Sequence, residues 1–315
     1  MTGSAQRIAY FGKLPGCGDF VRSPGDQVLV ELTDQWLANA MQGLAANPRW
    51  RQHYDACAPL DFAFLGTRSR QVVSGHLLAS RDQSARRFPF ACLWVHQVVQ
   101  PRDLLPCSPL ALAPAWAGLA AAAGAADVRR PERLAPGGLP DLAAARAQLE
   151  GYLAGSCLAD LEAALPAQSS SAQPRRLLLA LGLLLSPLRR RAAVPSRCLA
   201  FPLPHAAPLR MAVASFWMTL AAPLLARQDL ELALFLARAG GQPSLVLGMD
   251  GANPASLRAV IDPEAARESM VFLSDCAWVE AELGGEPALQ RLAACLEQDQ
   301  LGLPAAIQLF GETFY

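Results

Sequence analysis

Lysine is all but absent from this chain. Of 27 basic residues only Lys13 is not an arginine. Where composition favours arginine so strongly, a single lysine inside a glycine loop marks a position suited to a compact, flexible ammonium rather than a planar fork. Net charge is missing as well, since the 27 basic residues are matched by 27 acidic ones. Without a positive surplus to displace counterions, nucleic acid is not expected as a partner. The eight cysteines stand singly, at 17, 57, 92, 107, 157, 198, 276 and 295, with no CxxC spacing and no His-x-x-x-His nearby. That excludes the common zinc motifs and predicts free thiols in a reducing cytoplasm. Met1 to Gln6 has no apolar signal-peptide core, which also predicts a cytoplasmic protein. Internal repeats and coiled-coil heptads are absent.

Charge-free runs long enough to matter for a membrane are few. Cys107 to Ala126 has about the length that spans a bilayer, but it is mostly alanine and contains Pro109, Pro114, Gly118 and Gly124. Met211 to Ala226 is shorter and interrupted by Pro223, and Leu177 to Leu188 is shorter still. These runs predict buried core helices and no integral membrane span.

What is present is concentrated near the start, in Tyr10-Phe11-Gly12-Lys13-Leu14-Pro15-Gly16-Cys17-Gly18-Asp19-Phe20-Val21. A strand signal, Ile8 to Phe11, runs into three glycines and a proline, which impose a tight, irregular path. Lys13 and Asp19 bracket the bend with opposite charge. A phosphate loop would need Gly-Lys-Ser/Thr at its end, where a helix begins; here lysine comes first and an aspartate, which repels phosphate, closes the bend. The dinucleotide glycine pattern and the Gly-x-Ser-x-Gly elbow are both absent. Ser74 and His76 would share a strand face about 7 Å apart with no third group identifiable. His76 and His96 fall on neighbouring strands with Cys92 between them, but nothing supplies further ligands at motif spacing. No catalytic residue, cofactor or metal ligand is therefore assigned.

A second polar segment, Ser80-Arg81-Asp82-Gln83-Ser84-Ala85-Arg86-Arg87-Phe88-Pro89, links two strand-like runs. Its acceptors and arginines can satisfy one another. Asp82 would take the local backbone or an arginine, Asp19 the other arginine, and a bidentate pair would tie this turn to the opening bend. The same groups could form a polar patch for a partner, and a braced loop makes a better docking surface. Lys13, Asp19, Ser80, Asp82, Arg86 and Arg87 are the candidates for either role.

Gly12-Lys13-Leu14-Pro15 followed after two residues by Gly18-Asp19-Phe20 resembles the signature that opens the TagF (ImpM) family, accessory proteins of bacterial type VI secretion systems. The Ser80 to Pro89 block resembles the family's Ser-x-Asp-x-x-Gly-Arg-x-Phe-Pro element, with Ala85 where a glycine is usual. Trp36-Leu37, Ser215-Phe216-Trp217, Pro243 to Ala252 and Leu257 to Pro263 are looser matches. Ala58 to Phe62 departs, lacking a tryptophan after Pro-Leu. The resemblance implies a non-catalytic cytoplasmic regulator that restrains the secretion machine after translation, by binding a forkhead-associated scaffold protein. Two other classes stand beside it: a hydrolase of a phosphatase pathway, since some relatives are fused to a phosphatase domain, and a membrane-associated structural subunit.

Periodicity fills in the architecture. Val28, Leu32, Trp36, Ala40 and Leu44 recur every four residues, widened by Leu29, Leu37 and Met41, and predict a helix whose stripe is core. Strands are predicted over Asp61–Gly66, Gln71–Ser80 and Phe88–Val99, the last apolar on both faces as a central strand would be. Helices follow over Pro109–Ala126, Asp141–Leu165, with Asp141 as N-cap, and Arg175–Leu188, with breaks at Pro136-Gly137-Gly138 and Gln168 to Ser171. The arginines 189–191 suit the last helix's negative end. Further strands are predicted over Arg197–Leu203, Leu230–Ala237, Ser244–Gly248 and Met270–Leu273, and further helices over Pro254–Ile261, Glu286–Gln298 and Pro304–Phe310. Together these predict an α/β fold, a layered α/β/α arrangement with a mixed β-sheet and an alanine/leucine-rich helical segment in the middle. Two parts are expected, 1–167 as an N-terminal α/β domain with a helical extension and 175–315 as a C-terminal α/β region packing on it.

Overall fold

Strands in this chain are apolar at both parities, and both faces of the sheet are covered. The computed structural model describes residues 8–124, 141–166, 173–189, 194–298 and 300–315. Among the described residues nine strands form a single mixed sheet: β1 Ala9–Gly12, β2 Val21–Arg22, β3 Leu60–Gly66, β4 Gln71–Leu78, β5 Phe90–Gln97, β6 Cys198–Pro202, β7 Glu231–Ala239, β8 Gln242–Gly248 and β9 Met270–Phe272. They run in the order β2-β1-β5-β4-β3-β7-β8-β6-β9. Neighbours are antiparallel throughout except β6 and β9, which makes the sheet mixed. Strands from both halves of the chain share it. β3 and β7 join them at the centre, pairing from Asp61 with Leu236 to Gly66 with Glu231.

Alternation sends successive side chains to opposite layers. Phe62, Ala233, Phe235 and Val246 enter one core, together with the helices Gln27–Leu44 and Pro254–Ile261. Ala63, Leu232, Leu234, Leu245 and Leu247 enter the other, under the helices Ser108–Gly124, Pro174–Arg189, Ala207–Leu225 and Leu303–Phe314. Two stretches, Pro101–Gly124 and Ala207–Leu225, are apolar and long enough to cross a membrane, but their most apolar windows are 61% and 67% buried within the fold. Each hooks a tryptophan onto a strand carbonyl. Trp116 Nε1 donates to Phe62 O at 2.8 Å and Trp217 Nε1 to Pro202 O at 3.1 Å.

Two helices differ from expectation. The one predicted over Asp141 to Leu165 is divided into Leu142–Ala154 and Leu158–Ala164. Gly155 caps the first, and the Asp160 carboxylate accepts the backbone N–H of Cys157 at the start of the second. Asp141 is the N-cap, accepting from Ala144 N at 2.9 Å. In helix Gln27–Leu44 the buried set is Val30, Thr33, Trp36, Leu37, Ala40 and Leu44, whereas Val28 and Leu32 are exposed. Steps of four residues drift about 40° around a helix, so a stripe drawn from Val28 to Leu44 cannot all face one core. The breaks at 136–138 and 168–171 and the arginines 190 and 191 lie outside the described residues.

The β4–β5 ladder also buries polar groups. His96, opposite Val72, is fully enclosed, and its Nε2 lies 2.6 Å from Ser74 Oγ while Nδ1 has no partner. Burial pushes the His96 imidazole down to about 4, so the ring is neutral in the fold. The unfolded chain binds this proton more readily, at a value near 6.5. The stabilisation is therefore complete above about pH 6.5 and is lost as pH falls towards about 4, an effect on the order of 2–3 kcal/mol. Chemical denaturation at pH 7 and pH 4.5 should show this loss, and a His96→Gln chain should show less of it.

Candidate functional site

β1 ends at Gly12, whose φ of +137° lies outside the range that side chains readily adopt. A Cβ there would come within 2.0 Å of Pro89 O, so the bend can leave the strand only through a glycine. The chain turns with Cys17 N donating to Leu14 O at 3.0 Å and returns as β2 beside β1. Because β5 is the other neighbour of β1, the turn preceding β5 lies directly against this bend.

The two segments are bonded at several levels. Ser80 Oγ donates to Lys13 O at 2.7 Å, Gln83 N to Cys17 O at 2.9 Å, and Arg86 Nη2 to Gly18 O at 2.8 Å. The central contact is Lys13 Nζ to Asp82 Oδ2 at 3.0 Å, with both side chains buried. Asp82 receives four donors: the backbone N–H groups of Ser84 and Arg86, each at 2.9 Å to Oδ1, and Lys13 Nζ and Arg86 Nε at 3.0 and 2.6 Å to Oδ2. Burial by itself raises a carboxyl's pKa. Here the Arg86 N–H, the Lys13 ammonium, the Arg86 guanidinium and the Ser84 N–H outweigh burial and hold Asp82 well below the usual carboxylate range. The Lys13 ammonium also sits 5.0 Å from the centroid of Phe20, whose ring stacks on Phe11 and meets Phe88 edge-on.

The remaining candidates divide. Ser80 is fixed from behind by Tyr54, whose hydroxyl accepts from Ser80 N at 2.8 Å and donates to Ser80 O at 2.9 Å. Arg86 bonds Asp82 from a mostly exposed position. Arg87 does not serve the opening bend. Its guanidinium makes a two-point contact with Asp55, at 2.7 and 2.6 Å, at the end of helix Trp50–Asp55. Neighbouring residues in extended chain point opposite ways, so Arg86 and Arg87 diverge. Asp19 likewise lacks the arginine expected for it. It is exposed, its Oδ1 accepts from Phe20 N at 2.7 Å, and it makes no ion pair among the described residues. The ion pair between the two loops is made by a lysine and not by a bidentate arginine, while Arg86 adds a bond to the Gly18 carbonyl. Tyr54 and Asp55 were not legible as members, since nothing local to residues 50–55 points to a turn thirty residues on.

Ala85, in the place usually held by glycine, adopts φ +60°, the left-handed region. The tight loop forces this angle: Asp82 N donates to Arg86 O and Ala85 N to Asp82 O, at 3.1 and 2.9 Å. Elsewhere, Ser74 bonds His96 rather than His76, and His76 Nδ1 lies 2.7 Å from Asp61 Oδ1. Cys92 stands directly opposite His76, not between the two histidines. Among the described residues no group of three or more His, Cys, Asp or Glu could hold a metal ion.

This geometry defines a layered α/β protein whose first strand ends in a glycine bend bolted to a basic turn. Residues 9–133 match the model of the TagF N-terminal domain, described as Type VI secretion system-associated, so this stretch of the chain is similar to that domain. The match takes in β1 to β5 and helix Ser108–Gly124, and therefore both loops. A crystal structure of PA0076 from Pseudomonas aeruginosa PAO1 matches with 30% sequence identity, covering 28% of this chain and 41% of that one, at a TM-score of 0.26. The chain thus spans less than half the length of that protein. No curated protein matches.

Lys13→Met should cost roughly 3 kcal/mol in chemical denaturation, because it leaves Asp82 short of one charged donor in a buried place. Lys13→Arg keeps the charge but must fit a larger planar group beneath Phe20, and should also destabilise, by about 1–3 kcal/mol. Ala85→Gly should raise stability by about 0.5–1 kcal/mol by releasing the left-handed strain.

Proposed function

We propose that this protein is a non-catalytic, cytoplasmic, post-translational regulator of a type VI secretion system, restraining the machine by binding its forkhead-associated scaffold protein. The observation that carries this reading is the buried Lys13–Asp82 pair. The charges best suited to chemistry at the bend are committed to each other. Asp82 holds four donors and is kept ionised, which suits a fixed anchor and not a group that must gain and lose a proton. What the brace leaves outside is an ordered surface edged by Asp19 and Arg86. Rigid loops of this kind lose little entropy when a partner docks on them. The membrane-subunit alternative has less support, since its two helices are largely buried within the fold.

The test is retention of the full chain by the purified forkhead-associated scaffold, phosphorylated and unphosphorylated. Binding is expected, and Arg86→Ala, which leaves Lys13 on Asp82, should weaken it. Absence of retention in every phosphorylation state overturns the reading.

A further inference from the structure

Two arginines of the turn before β5 stand opposite each other. Arg81 and Arg87 form an isolated antiparallel bridge. The bonds on either side of it, Phe88 N to Ser80 O and Asp82 N to Arg86 O, are each 3.1 Å. The bridge between them is therefore a non-hydrogen-bonded pair, where opposed side chains come closest and leave on the same side. Like charges held directly opposite are destabilising. Asp55 relieves part of this. It accepts two bonds from the Arg87 guanidinium, at 2.7 and 2.6 Å. Those bonds, with the charges of Arg87 and Arg81, hold its carboxyl below the usual carboxylate range, so Arg81 is within electrostatic reach of it.

One carboxylate leaves this patch short of negative charge. Asp55 ends helix Trp50–Asp55, and Arg51, four residues earlier, lies on the same helix face. Its guanidinium is 5.0 Å from the centroid of Trp50. Arg51 and Arg81 are exposed, and among the described residues neither is in an ion pair. The other charges of these segments are matched. Asp82 holds Lys13 and Arg86, Arg49 pairs with Glu264, and His53 turns to Asp262. Three guanidinium groups thus share one carboxylate, in a chain whose net charge is zero.

We infer that Arg51, Arg81 and Arg87 form a docking surface for an acidic segment, rich in aspartate or glutamate, of the partner protein proposed above; the inference rests on that reading. An incoming carboxylate removes the repulsion between Arg81 and Arg87, and guanidinium forks bind carboxylates at two points. The turn that presents them is already fixed, by Asp55 on Arg87 and by the Tyr54 hydroxyl on Ser80. Little ordering is left to be done on binding. A nucleic acid backbone would ask for a broader surplus than three cations on a neutral chain.

The test measures affinity of the full chain for the purified scaffold by calorimetry at low and high salt, with the scaffold unphosphorylated and phosphorylated. The variants are Arg51→Ala/Arg81→Ala and, as a control, Arg291→Ala, whose helix Pro287–Cys295 packs into the opposite core layer. All three residues are exposed, so thermal melts should stay near that of the parent protein. The double variant should bind at least about tenfold more weakly to either form of the scaffold, with a flatter salt dependence. Arg291→Ala should bind like the parent. Unchanged affinity of the double variant, or an equal loss in Arg291→Ala, overturns the docking surface while leaving the scaffold reading intact. A loss seen only with phosphorylated scaffold assigns the patch to a phosphate and overturns the acidic segment. Failure of the parent protein itself to bind overturns both readings.

Discussion

A carboxylate buried without protonation is the constraint from which the N-terminal region takes its shape. Removing Asp82 from water is costly unless several donors replace the lost hydration. The turn supplies two through its own backbone, and Arg86 supplies a third. The fourth comes from Lys13, 69 residues away in sequence, so the turn can be satisfied only when the bend lies against it. Gly12, the left-handed Ala85 and the Tyr54 hydroxyl behind Ser80 are the local conditions for that approach. The need for an ammonium explains why lysine survives here in a chain otherwise given to arginine. The group sits under an aromatic ring and reaches a single carboxylate oxygen, a task for a point charge and not for a fork.

Much of this was legible before any coordinates. Apolar runs bounded by turn residues located the strands, and runs apolar at both parities indicated a sheet covered on both sides. The pairing of the bend with the turn followed from complementary polar groups at two strand ends. The partners within that pairing did not. Arginine and aspartate are interchangeable on paper, and which meets which depends on side-chain direction. Alternation carries Arg87 towards Asp55 and leaves Asp19 in solvent. The helical stripe from Val28 failed for a comparable reason: a four-residue repeat follows a slowly rotating line, and the buried positions are chosen by the sheet beneath. The Ser74–His96 contact depended on strand register, which composition does not specify.

The apolar exterior of helix Gln27–Leu44 and the bolted loops lie in the same part of the fold, the layer against β1 and its neighbours. The inner face of the helix, with Val30, Trp36, Leu37 and Ala40, holds the sheet. Its outer face is free of any packing duty, so residues there can change with little effect on stability.

The join between β3 and β7 bears on how the two halves depend on each other. The family match ends long before β7 begins, yet β7 occupies the hydrogen-bonding edge of β3. A polypeptide cut after the matched region would leave that edge bare, with Phe62, Ala63 and Leu65 beside it, a ready template for intermolecular strand pairing. The later half of the chain therefore seals, in the folded protein, an edge of the earlier half that would otherwise stand open to other chains.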